Sequence, residues 1–111
     1  METKTTATPG FNCCNVITFL YQFAQKSMNK EHLEYMAKSD GLAEMMLIGL
    51  TARVEAIADL WNEAQKSDDF SVVSENITGG VLYDISFTLL CIKAFNEVGA
   101  RAKDALKQSA K

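Results

Sequence analysis

Through two long stretches of the chain, apolar residues recur by steps of three and four, a spacing that places them on one side of an α-helix and of no other regular element. In residues 29–67 the seam runs Leu33, Met36, Ala43, Leu47, Leu50, Val54, Ile57, Trp61 and Ala64. In residues 79–108 it runs Leu82, Ile85, Leu89, Ile92, Phe95, Val98, Ala102 and Leu106. No alternation of period two is sustained anywhere, and Val72-Val73 is too short to found a sheet. The first seam misses a step at Asp40, where Ser39-Asp40-Gly41 joins two cap-forming residues to the least helix-prone ordinary residue. A break there predicts a short helix over 30–38 and a long one over 40–66.

Upstream, Asn12 is a good helix cap, and Val16, Phe19, Leu20, Phe23 and Ala24 share one face of a first helix that should stop at 27–29. Residues 1–11, with Pro9-Gly10 and no periodicity, read as a flexible arm. Residues 67–78 carry three acids and several serines, so they read as a connection, held against the bundle by Phe70, Val72, Val73 and Ile77. A chain of 111 residues fills one core. The expected architecture is all-α: a single domain over 12–111, a small antiparallel bundle whose long helical hairpin, 40–66 and 79–108, is covered by shorter N-terminal helices.

Charge removes several classes of function. The net charge of -3 has the wrong sign for routine nucleic-acid binding, which needs a basic face. Its distribution is uneven, since residues 31–75 hold ten acids against three bases and residues 76–111 hold five bases against three acids. That pattern reads as two solvated helix faces of opposite sign. Three cysteines, with Cys13 and Cys14 adjacent, make no paired disulfide framework and suit a reducing cytoplasm. The start of the chain shows no apolar core with a cleavage site, and Val81 to Ile92 is short of a membrane span, so neither a leader nor a membrane partner is expected. The tripeptide Asn76-Ile77-Thr78 fits a glycosylation sequon, which has no meaning in that compartment.

Residues that carry chemistry are sparse. His32 is the single histidine, without a Glu-x-x-His spacing, so no zinc or di-iron centre is expected. Glu55, Asp59 and Glu63 lie at four-residue steps on one helix face, which reads as a solvated face rather than a cation site. Gly79-Gly80 lacks the lysine of a phosphate loop and reads as a helix start. Cys13 and Cys14 fall at a first helical turn, the kind of place where thiols can be activated, but no basic residue is next to them in sequence. Cys91, in an apolar run, reads as core. Neither a cofactor nor an acid, base and nucleophile set is visible, and no enzymatic activity is expected.

What remains is an excess of apolar surface. Leu42 to Leu50 has only Glu44 as a charge, and Val81 to Ile92 is similar, whereas a surface helix needs only a stripe. The expectation is a non-enzymatic protein-interaction module of the small regulator, inhibitor, immunity-protein or chaperone type. It would pair with itself and bind another protein through Met45, Met46, Ile48, Leu82, Ile85 and Leu89. The alternative is a small-molecule-binding bundle with an apolar pocket among Trp61, Tyr83 and Phe87 and a polar anchor at Asp84.

Overall fold

Five helices make up nearly all of residues 8–109, the part of the chain described by the computed structural model. They are α1 (Cys13–Gln25), α2 (Lys30–Met36), α3 (Ser39–Ser67), α4 (Ser71–Asn76) and α5 (Gly79–Ser109). Residues 1–7 of the expected N-terminal arm lie outside the described residues; residues 8–12 precede α1 without helical structure.

Local capping chemistry sets the starts. The Asn12 side chain accepts the backbone N–H of Asn15 at 2.8 Å and caps α1. At α2 the Asn29 side chain accepts the N–H of His32 at 2.8 Å, and His32 Nδ1 accepts the N–H of Asn29 at 3.3 Å. The single histidine therefore closes a reciprocal capping box, an arrangement worth about 1 kcal/mol to a helix start. Between α2 and α3, Ala37 and Lys38 keep right-handed helical angles, so the break is a bend in a nearly continuous helix. It falls at 37–38, just ahead of Ser39-Asp40-Gly41. Asp40 interrupts the apolar seam because its carboxylate pairs with Lys103 of α5.

The connection over 67–78 contains a helical turn that its sequence pattern did not signal. Asp68 takes a left-handed conformation, φ 56°, to end α3, and the Asp69 carboxylate accepts the N–H of Ser71 at 3.1 Å to start α4. With six residues, α4 is too short to show a period. Phe70 packs on Trp61 with ring centroids 5.5 Å apart, which ties this segment to α3 as expected.

Helix α5 is the spine. Helix α3 runs antiparallel along it, with Asp40 beside Lys103 and Gly99, and Ala43 and Leu50 against Ile92. Helix α1 runs parallel to it, with Cys13 beside Cys91 and Tyr21 beside Val98 and Ala102. This is the all-α bundle with a long hairpin and shorter N-terminal helices that the periodicity predicts. Its core divides into one cluster of Tyr21, Leu33, Val98 and Ala102 and another of Ala43, Leu50 and Ile92. Small residues let the helices approach closely, so the molecule is long and thin, 62 × 32 × 16 Å.

Within the first cluster the Tyr21 hydroxyl is buried and has no hydrogen-bond partner among the described residues. Burial raises the pKa of the phenol, with nearby Arg101 acting against that rise. A buried hydroxyl that makes no bond forfeits its hydration. The Tyr21→Phe protein is therefore expected to be as stable as the parent or more stable by about 1 kcal/mol, read as an unchanged or higher Tm; a clear fall in Tm would show that the hydroxyl is bonded.

Candidate functional site

Helix α3 presents three distinct faces. At 100° per residue, Ala43 and Leu50 point to α5. Glu44 and Glu55 make an exposed acidic flank on one side. On the other flank Leu42, Met45, Gly49, Ala52 and Ala56 form an exposed row at steps of three and four, roughly 120° from the α5 contact. The row is a second heptad-type seam on a helix whose first seam packs Ala43 and Leu50 on α5.

Its chemistry changes along its length. Met45 is 71% exposed and neighbouring Ile48 67%, and nothing lies within 4 Å of the position that a Gly49 side chain would occupy. The middle of the row is thus flat and lets another backbone come close. Lys38 and Glu63, both exposed, lie near the same flank at its two ends. They are about 37 Å apart along the helix axis at 1.5 Å per residue.

The residues that the sequence singled out as an interaction surface separate in space. Met45 and Ile48 are on the open side of α3. Met46 and Ile85 instead pack against Ala43, Leu50 and Ile92, so these two belong to the core and not to a free surface. Leu82 and Leu89 are about half exposed but share no uninterrupted row with the exposed aromatics of α5. Sequence inspection missed the small members of the α3 flank, Gly49, Ala52 and Ala56. Their signal is a 3-4-3-4 spacing offset by one residue from the core seam.

The four pocket candidates are not brought together. Trp61 lines an open cleft of 610 Å³ with Val54, Ile57, Ala58, Asn62, Val73 and Ile77. Tyr83, Asp84 and Phe87 do not line it, and Tyr83 is 79% exposed. The lining offers Asn62 as its polar side chain and no charge. Among the described residues no group of three or more His, Cys, Asp or Glu side chains is arranged to hold a metal ion. No helix of the described residues is long and apolar enough to cross a membrane.

Charge contributes at the bend. The hydrogen bond from Lys103 holds the Asp40 carboxyl below the usual carboxylate range, aided by its charge and by backbone donors and opposed by partial burial. A depressed carboxylate adds stability that is present above its unfolded pKa and lost as pH falls through its folded one. Asp40→Asn is therefore expected to lower Tm by a few degrees at most at neutral pH, because both partners are solvent-exposed, and by less at pH 2. Thermal melts at the two pH values check this, and an equal loss at both would assign the effect to something other than the ion pair.

The chain has no match among known protein families, curated proteins or solved structures.

Proposed function

We propose that this protein is a non-enzymatic interaction module that acts as a homodimer in the cytoplasm, in the manner of a small regulator, inhibitor, immunity protein or chaperone, with the outer flank of α3 as its pairing surface. One observation carries the reading: the exposed row from Met45 to Ala56 is self-complementary. Turn a second copy antiparallel about an axis between Gly49 and Ala52, and Gly49 meets Ala52 of the partner subunit while Met45 meets Ala56 of the partner subunit. The same operation sets Lys38 opposite Glu63 of the partner subunit and Leu42 opposite Asp59 of the partner subunit, each twice over. Twofold pairing reuses one patch on both chains, as isologous interfaces do.

Area supports the same reading. The chain exposes 7923 Å², against about 6,100 Å² for a folded monomer of its mass. Its radius of gyration is 19.5 Å, against about 13 Å for a compact chain of this length. A thin slab with large apolar side chains open to water gains by covering them, at roughly 25 cal/mol per Å². The Trp61 cleft gives less support to a small-molecule site, because the expected anchor Asp84 does not line it. Light scattering of the purified protein through the low micromolar range tests the reading. The expected mass is twice the 12.3 kDa of one chain, and a constant mass equal to one chain would overturn it.

A further inference from the structure

Cys13 and Cys14 meet Cys91, far away in sequence, where the start of α1 meets α5. Cys13 and Cys91 sit with their sulfurs 3.8 Å apart across the two helices, 78 positions apart in the chain. Both are half-buried, so small solutes reach them, while Cys14 is buried in the core. Cys13 is also the first residue of α1, and the residues before it are not helical. The sulfurs must close by a little under 2 Å to reach bonding distance, and side-chain rotation at a helix end supplies that kind of movement.

We propose that Cys13 and Cys91 are a modification site: a thiol pair that a low-molecular-weight disulfide, of the class of oxidised glutathione, converts into a disulfide linking α1 to α5. The exchange takes two steps. Cys13, as thiolate, attacks one sulfur of the oxidant, the oxidant's S–S bond breaks, and one small thiolate leaves and takes up a proton. Cys91 then loses its proton and attacks the Cys13 sulfur of the mixed disulfide, releasing the second small thiol. Two protein thiols are oxidised and one disulfide is reduced to two thiols, so electrons and protons balance. Burial, followed by the neighbouring Cys13 and Cys14 thiols, pushes the Cys91 thiol up, which makes Cys91 the second group to react. Cys14 is left over as the third, unpaired thiol.

In a reducing cytoplasm the pair rests open and closes when the ratio of oxidised to reduced small thiols rises. Closure pins the start of α1 to the spine of the fold. The outer flank of α3 is not part of this contact, so the thiol pair stands or falls independently of self-association.

The experiment equilibrates the full chain with mixtures of reduced and oxidised glutathione, blocks free thiols by alkylation, and reads the products by intact mass and peptide mapping. The expected product has lost two hydrogens, keeps one alkylated thiol and joins the Cys13 peptide to the Cys91 peptide. Its Tm is expected to rise by about 10 °C or more and to return on adding a reductant, since a long loop is closed. Cys14→Ser should keep the cross-link and the Tm rise and leave no thiol to alkylate, whereas Cys13→Ser and Cys91→Ser should each abolish the cross-link and the Tm rise. A cross-link through Cys14, disulfides only between chains, a stable glutathione adduct on Cys13 or three alkylated thiols under oxidising mixtures would each overturn the proposal.

Discussion

Replacing Gly99 with valine is expected to lower Tm by about 15 °C, the consequence of about 3 kcal/mol of lost stability. Gly99 is fully enclosed where α3 begins and crosses α5. A side-chain carbon there would stand 2.9 Å from the backbone nitrogen of Asp40 and 3.2 Å from its Cβ. The nearer atom is backbone, so relief requires α3 to move as a whole, which also pulls Ala43 and Leu50 off Ile92. Gly41 is the control, because nothing lies within 4 Å of the carbon an alanine would add. Gly41→Ala should leave stability unchanged or raise it by about 0.5–1 kcal/mol through helix propensity. Thermal or urea melts of the two variants settle the matter: an unharmed Gly99→Val protein would mean that the helices do not cross at this point.

A larger effect is expected on association. Ala52→Glu should weaken self-pairing by 100-fold or more, about 3 kcal/mol, while the far-ultraviolet dichroism stays helical. Ala52 lies beside the proposed twofold axis, so one substitution brings two like charges together in a closely packed, desolvated place. Ile48→Glu, at the edge of the same flank, should act in the same direction with a smaller effect. Met46→Glu makes an instructive contrast, since Met46 packs on the core cluster and its loss should reduce stability first. Charge reversal tests the register. Lys38→Glu and Glu63→Lys should each weaken the dimer, and the double variant should recover it if these two residues meet across the axis. Dissociation constants from sedimentation equilibrium give both readings; a double variant no better than the singles would discard the antiparallel register.

Much of the fold was legible in the chain itself. The apolar steps of three and four from Leu33 to Ala64 and from Leu82 to Leu106 mark α2–α3 and α5, because a period near 3.6 is a property of local backbone geometry. The cap at Asn12 was legible for the same reason, as it bonds a backbone group three residues away. Helix α4 was not, since six residues are fewer than two turns and its start depends on the Asp69 side chain. The break near Asp40 was visible as a missing apolar residue. Its cause was not, for Lys103 is 63 positions distant.

The candidate surface divides along the same line. Composition alone marked Leu42 to Leu50 as too apolar for one buried stripe, and that much is a local property of the chain. Which of those residues turn inward was decided by how α3 lies on α5: Met46 went to the core with Leu50, and Met45 and Ile48 stayed in water. Two residues adjacent in sequence differ by only 100° on a helix, so a small rotation of the packed face exchanges their roles. The meeting of Cys13 with Cys91 and the close crossing at Gly99 depend on contacts between distant parts of the chain. Local periodicity determines where helices form and roughly which side of each is apolar. Rotation, crossing point and long-range side-chain partners are set only when the helices pack, because they minimise voids and unpaired polar groups across the whole molecule at once.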